Sequence, residues 1–439
     1  MTDVRHIAYE ALLTAENDRI PASSKDVLEK YSYLDVKDRR FLKRIIEGTI
    51  ERRITIDHVL DLYSTVPVRK MKKQVRTLLR MGVYQLLYMD SVKDFAAVNE
   101  TVKAAYSTPA RGLSGFINGV LRKVAANKDS IKWPDKDKDH VRYLSVMYSC
   151  PEWIVTKLTD EQGSENAETL LALSVSTRPV TARINLSKTT AEEVIKSCNA
   201  ARSNLLDEAV MLRDYDNITD IPAFYSGSIC TQDISSMLVC HLAGIKRDDT
   251  VLDLCASPGG KSLHAADIAV EGRVISKDVS EKKLESIRQN VERCGFTNIE
   301  ISEGDATVYD SSLEGSSDVV IADVPCSGLG VMGRKNDIKY NLTPERIKDL
   351  VILQRRILKN ASRYVKRGGI LMFSTCTCSL EENQGNVEYL LGECGLAPVD
   401  FYEDLPKALR CENAKSGYIQ LYGGELATDG FFIAKFRRG

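Results

Sequence analysis

TVLDLCASPGGKS (250–262) reads as a short apolar strand that runs into a glycine-rich turn and then a helix. Glycines let the backbone approach a ligand closely, and a helix start offers free N–H donors. The stretch is neither a Walker A loop nor a GxGxxG turn: Gly259, Gly260, Lys261 and Ser262 match only the tail of the former. A phosphate loop is therefore disfavoured. Downstream, the β-rich runs RVISKD (273–278), NIEIS (298–302), DVVIAD (318–323) and GGILMFST (368–375) alternate with amphipathic stretches. That alternation predicts parallel strands joined by crossover helices, a doubly wound Rossmann-like sheet over 246–439.

Acids fall at the ends of successive strands. Asp278 closes the second, Asp305 follows the third in GDAT, and Asp323 closes the fourth. Any one of them alone is as readily a helix N-cap. In register beside a glycine-rich first turn, they suit a cofactor with an adenine edge and a ribose diol.

Two cysteines sit at the next strand ends. The fourth strand runs into ADVPCSGLG (322–330) and the fifth into FSTCTCSLEEN (373–383). Neighbouring strand ends face one crevice, so Cys326 and Cys376 are expected to share a pocket with Asp323. A free thiol is only slightly ionised at neutral pH and needs a helix N-terminus or a nearby cation to become a nucleophile. A helix opened by Ser379, Glu381 and Glu382 would supply the first, and Lys261 across the crevice the second. A thiolate added at C6 of cytosine makes C5 enamine-like, able to take a methyl group from a sulfonium. A second group must then remove the C5 proton, and an acid such as Asp323 near N3 would hold the electron-rich intermediate. Amino-directed methyltransferases need no thiol and carry an Asp/Asn-Pro-Pro-aromatic motif at this strand end, where this chain has DVPCS.

Upstream, a helical opening at Pro151–Leu173 and the extended pieces TARINLS (181–187) and AVMLRD (209–214) predict a small α/β subdomain over 145–245. Residues 1–130 carry apolar positions at helical spacing, as in Phe41/Ile45/Ile46/Ile50 and Leu78/Leu79/Val83/Leu86/Leu87. They predict an all-α bundle, followed by a linker at KWPDKDKDH (132–140). The chain is multidomain, α and α/β. Its net charge of −1 hides an asymmetry, because residues 1–150 hold 27 Lys/Arg against 19 Asp/Glu and the remainder 33 against 42. A basic N-terminal module for an anionic partner follows.

The eleven cysteines are scattered and odd in number, in a chain too long to need disulfide staples, so reduced thiols are expected. The close pair Cys376/Cys378 lacks the partners a zinc site requires, and no metal is expected. No basic head with an apolar run opens the chain, and no long uncharged apolar stretch occurs. A cytoplasmic location without membrane contact is expected.

These motifs resemble those of the cytosine-C5 RNA methyltransferases of the Sun/Fmu (RsmB) type, which read DLCAAPGGKT, DxPCSG and TCS followed by EEN. The likeness covers 150–439 and includes TQDISS (231–236) and TDGFFIAKF (428–436). The N-terminal helices are similar to the NusB RNA-binding fold at DRRFLKRIIEGTI (38–50), LLRMGVYQLLYM (78–89) and AVNETVKAA (97–105). The resemblance implies S-adenosyl-L-methionine as cofactor, held by Cys255, Ala256, Ser257, Pro258, Gly259, Gly260, Lys261, Asp278, Asp305 and Asp323. It implies Cys376 as nucleophile and Cys326 as the residue that helps release the methylated product, with Lys261 and Asp323 beside them. Jointly, the two halves imply C5 of one cytosine in 16S ribosomal RNA as target; separately, a monomer is expected. Transfer RNA as substrate, or a non-catalytic RNA-binding assembly factor, are the alternatives. Ser257 and Thr377 replace the family's alanine and serine, and Cys378 adds a thiol beside the nucleophile.

A stacked base cannot reach a thiol, so the target should be single-stranded or flipped. VRKMKKQVRTLLR (68–80) gathers Arg69, Lys70, Lys72, Lys73, Arg76 and Arg80 for phosphate contacts. Arg334, Lys335, Lys339 and Tyr340, past the PCSG turn, are expected to grip the RNA strand.

Overall fold

Fully buried runs such as Val319–Ala322 and Leu371–Phe373 give strands covered on both faces, which is why they read as continuous apolar runs and not as alternation. The computed structural model describes residues 4–18, 24–215, 217–424 and 428–439. It divides into two units, Met1–Ser176 with Met332–Asn341 and Thr177–Val331 with Leu342–Gly439. The second unit opens with β1 (Val180–Ile184), β2 (Ala200–Arg202), β3 (Ala209–Leu212) and β4 (Ile229–Thr231). They form an antiparallel sheet in the order β2-β3-β1-β4. The large sheet comprises β5 (Thr250–Asp253), β6 (Arg273–Asp278), β7 (Ile299–Glu303), β8 (Ser317–Asp323), β9 (Val365–Thr375), β10 (Leu396–Pro398), β11 (Tyr418–Tyr422) and β12 (Gly430–Arg438).

The path β7-β6-β5-β8-β9 is parallel, as expected, and β12 adds antiparallel to β9 with β10 and β11 along its outer edge. The chain steps outward from β5 to β7 and resumes on the other side at β8. Strand order therefore reverses between β5 and β8, where doubly wound sheets bind ligands at the carboxyl ends of the strands.

In the first unit, apolar helix faces meet in one core that includes Leu42, Ile45, Ile46, Leu78, Leu79 and Val83. The helices Val36–Glu51 and Lys73–Tyr88 carry all six of these residues, and the Asp35 side chain caps the former by accepting from Asp38 N. Residues 1–3 and 19–23 of the expected bundle lie outside the described residues. The helices His140–Met147, Glu152–Gln162 and Ser164–Leu173 belong to this unit, so only the later part of the subdomain expected at 145–245 builds the small sheet. Among the described residues no helix is long and apolar enough to cross a membrane.

Two of the cations expected to face RNA hold this unit together instead. Arg80 makes a two-pronged contact with Asp57, 2.7 Å from each oxygen, and reaches Glu16 at 3.3 Å. Arg76 Nε donates to the same Glu16 at 2.7 Å, and Thr77 Oγ1 donates to its other oxygen at 2.9 Å. Burial works against the Glu16 charge, but the two guanidinium groups hold its carboxyl below the usual range. Breaking one partner of such a cluster strands the others. Arg80→Ala should therefore lower the unit's stability by about 3 kcal/mol, read as a shifted urea midpoint, and leave the salt slope of RNA binding unchanged.

Candidate active site

β5 delivers the chain to the crevice at Asp253. The turn that follows is tied to β6, where Ala256 N donates to Lys277 O at 3.0 Å. Gly259 adopts φ 104°, a conformation costly for a residue with a side chain, and thereby starts the helix Gly260–Ile268. Asp278, at the end of β6, accepts from Ser257 N (3.0 Å), Val279 N (2.7 Å) and Lys283 Nζ (3.0 Å). A carboxylate has about four acceptor positions, so one remains for a hydroxyl. Asp305 Oδ1 accepts from Thr307 N (2.8 Å) and Thr307 Oγ1 (2.7 Å), so this oxygen caps its own turn, and these bonds lower its carboxyl pKa. Beside it opens a cavity of about 380 Å³ lined by Gly304, Ala306, Tyr309 and Tyr364 among others.

Asp253 escaped the sequence reading. It is 1 % exposed; its Oδ2 accepts from Ser262 Oγ at 2.7 Å, and its Oδ1 is buried with no hydrogen-bond partner among the described residues. An acid closing the first strand was the available signal. A buried acceptor left without a donor fits a cationic or hydroxyl-bearing ligand in the turn above it.

Lys261, one residue into the helix, is 8 % exposed and donates to Asp323 Oδ2 at 2.6 Å and to Ser236 Oγ at 2.9 Å. Burial opposes its charge, but Asp323 outweighs burial and the ammonium pKa is raised. Asp323 Oδ1 accepts from Ser374 Oγ at 2.8 Å, across the β8–β9 register that pairs these two residues. The flanking motifs meet here as well: Ser236 comes from TQDISS, and Asp233 of that motif accepts from Asp429 N at 3.0 Å.

The Cys326 and Cys376 sulfurs lie 3.1 Å apart, both half-buried. The hydrogen bond to Cys376, followed by burial, raises the Cys326 thiol well above its ordinary value. Gly330 N donates to Cys376 O at 3.0 Å, and any side chain on Gly330 would strike the Gly430 backbone oxygen. The helix expected to begin near Ser379 begins at Gln384, so its N-terminus does not flank Cys376; Glu381 and Glu382 precede it in a turn. Cys378 is fully buried and accepts from Gln420 Nε2 at 3.3 Å, which makes it part of the floor.

A family model described as "16S rRNA methyltransferase RsmB/F" matches residues 241–437, and one described as "NusB family" matches residues 2–126. A "Probable ribosomal RNA small subunit methyltransferase B" of Bacillus subtilis (strain 168) is 33% identical over 100% of this chain and 99% of that protein. A protein of the same description from Synechocystis sp. is 30% identical over 94% of this chain and 97% of its own length. The chain belongs to the RsmB/F family of 16S rRNA methyltransferases. The crystal structure of PH0851 shares the fold, with a TM-score of 0.78 at 23% identity over 100% of this chain and 99% of that one.

For an RsmB/F-family methyltransferase the cations are informative. Arg69, Lys70, Lys72 and Lys73 are exposed, whereas Arg76 and Arg80 are engaged by Glu16 and Asp57. Lys37, Arg40, Lys43 and Arg44 are also exposed on the helix Val36–Glu51, with 37, 40 and 44 on one face, a stripe that the three- and four-residue spacing could have revealed. Arg334 and Lys335 are exposed on the segment that joins the helical unit. Lys339 and Tyr340 do not face solvent as expected. Lys339 is 1 % exposed and donates to Glu51 O at 3.0 Å, and burial pushes its ammonium down to about 8. The Tyr340 hydroxyl donates to Ile50 O at 2.9 Å beneath the Arg53 guanidinium.

Burial pushes the Asp253 carboxyl up to about 6. An unfolded aspartate titrates near 4, so between these values the native state holds more protons and stability falls as pH rises, then stays level above about 6. Asp253→Asn keeps an acceptor for Ser262, removes that slope, and should raise stability near neutral pH by about 3 kcal/mol. Urea unfolding at about pH 4.5 and about pH 7 would detect the change; an unaltered slope would refute the buried charge.

Proposed function

We propose that this enzyme methylates C5 of a cytosine in 16S rRNA, using S-adenosyl-L-methionine and a covalent bond between Cys376 and the base. The observation that carries the reading is the close Cys326–Cys376 pair beside the Lys261–Asp323 ion pair. The cofactor would lie over the Cys255–Lys261 turn, its hydroxyls toward Asp278 and its base toward Asp305, with the orphaned oxygen of Asp253 beneath. When bound, it supplies an electrophilic methyl group whose bond to sulfur breaks with the pair staying on sulfur.

The Cys376 thiolate adds to C6, and the ring electrons move to N3. Lys261 is the proton source there, passing a proton through Asp323 to N3, because Asp323 already accepts from its ammonium. C5 then bonds to the methyl carbon. With Cys376 consumed, Cys326 loses the partner that held its proton and releases that proton to solvent. As a thiolate it takes the C5 proton. The C5–H pair restores the ring double bond, N3 returns its proton to Asp323, and Cys376 leaves with the C6–S pair. The exposed lysines and arginines of the helical unit would supply phosphate affinity without reading sequence.

Cys376→Ala should abolish methylation. Cys326→Ala should accumulate a protein–RNA adduct in the presence of cofactor, seen as a slow band on denaturing gels. An adduct with Cys376→Ala but none with Cys326→Ala would reverse the roles. For the basic patch, Lys70→Gln with Lys72→Gln should weaken RNA binding and reduce the salt slope by about 1.4, near 0.7 for each phosphate of a single strand that is no longer neutralised. An unchanged slope would remove these residues from the RNA interface.

A further inference from the structure

None of the steps above uses Glu382, although it is fully buried between the two cysteine loops. Its Oε1 accepts from Ser327 N at 2.8 Å and from Gln354 Nε2 at 2.9 Å. Its Oε2 accepts from Ser327 Oγ and, at 3.3 Å, from Thr377 Oγ1. Ser327 follows Cys326 and Thr377 follows Cys376, so the residue after each site cysteine ends on one carboxylate. Ser327 Oγ and Thr377 Oγ1 are themselves 2.7 Å apart. Gln354 completes the ring. Its Nε2 also donates to Pro325 O at 2.9 Å, and its Oε1 accepts from Asn386 Nδ2, which donates in turn to Glu382 O at 2.8 Å. Cys326 is thus fixed from both neighbours by groups anchored on Glu382.

Burying a carboxylate among hydroxyls and amides costs stability, and burial indeed raises the Glu382 pKa. Such a cost is characteristic of functional positions. We propose that Glu382 is a positioning residue that holds Cys326 against Cys376 for the release step. The proposal rests on the cysteine roles given above.

The two loops depend on it unequally. Cys376 has other anchors: Thr375 Oγ1 donates to Asn383 Oδ1 at 2.6 Å, Thr377 O accepts from Asn383 Nδ2 at 3.0 Å, and Cys376 O accepts from Gly330 N. Cys326 lies beyond the last residue of β8, follows a proline with no N–H, and is followed by a residue whose N–H is held by Glu382. Losing the carboxylate frees Cys326 more than Cys376. Attack then proceeds while release stalls.

The test compares Glu382→Ala and Glu382→Gln in the full-length enzyme with S-adenosyl-L-methionine and a 16S rRNA transcript. Glu382→Ala should lower kcat about 100-fold, the scale of a 1 Å misplacement, with KM for RNA unchanged. It should accumulate the same covalent band as Cys326→Ala, and adding Cys376→Ala should abolish the band. Glu382→Gln preserves the ring, because its oxygen still accepts from Ser327 N and Gln354 while its amide donates to the two hydroxyl oxygens. It should retain turnover within a few-fold and show no band. A folded Glu382→Ala that loses activity without an adduct overturns the proposal, as does a Glu382→Gln variant as impaired as alanine. If Glu382→Ala does not fold, Ser327→Ala is read for the same band, and its absence overturns the proposal. A Cys326→Ala enzyme that forms no adduct refutes the cysteine roles themselves, and this inference falls with them.

Discussion

Lys261 and Asp323 meet at 2.6 Å in the one place where the order of the parallel strands reverses. An ammonium this buried would cost several kcal/mol without a partner, so the pair constrains everything around it. The helix after β5 must start where Gly259 turns it, β8 must end at Asp323, and β9 must bring Ser374 into register to satisfy the second carboxylate oxygen. Ser236 reaches in from the helix Ile234–Ala243 to take another ammonium hydrogen, and the Phe431 ring lies 5.5 Å from the same nitrogen. Motifs far apart in the chain are thus held by one charge.

The cysteines inherit their places from this frame. Each lies just past the end of a strand, and β8 and β9 are neighbours, so the loops carrying Cys326 and Cys376 must run side by side. The outcome is chemical asymmetry as well as proximity. The hydrogen bond to Cys376 and burial push the Cys326 thiol toward its protonated form, which supports the unequal roles proposed for the pair.

Strand identity and the grouping of acids and thiols at strand ends were legible in the sequence, because apolar runs and the residues that terminate them are local patterns. What remained hidden depends on partners distant in the chain. Arg76 and Arg80 look like free cations until Glu16, sixty or more residues away, is folded against them. Lys339 looks like a strand-gripping lysine until its segment packs with the helical unit and Glu51 O accepts from it. The turn SLEEN looks like a helix start because acids favour that position, but Glu382 is drawn inward by Ser327 and Gln354, and the helix begins two residues later. Asp253 was overlooked for the opposite reason: inside an apolar run it reads as part of the strand, and only its orphaned oxygen sets it apart.

A second pair of thiols sharpens what makes a reactive one. Cys230 and Cys294 sit 3.3 Å apart, nearly as close as Cys326 and Cys376, and Arg293 lies beside them. Proximity and a neighbouring cation therefore do not distinguish the two pairs. Access does: Cys230, on β4, and Cys294 are 3 % and 0 % exposed and packed with Leu263, where no ring could reach the sulfur. Cys326 and Cys376 are half-buried at the mouth of the crevice, next to an exposed Pro325. The proposed attack on a base requires the thiol to be screened enough to be tuned and open enough to be met, and the carboxyl ends of β8 and β9 fit both needs.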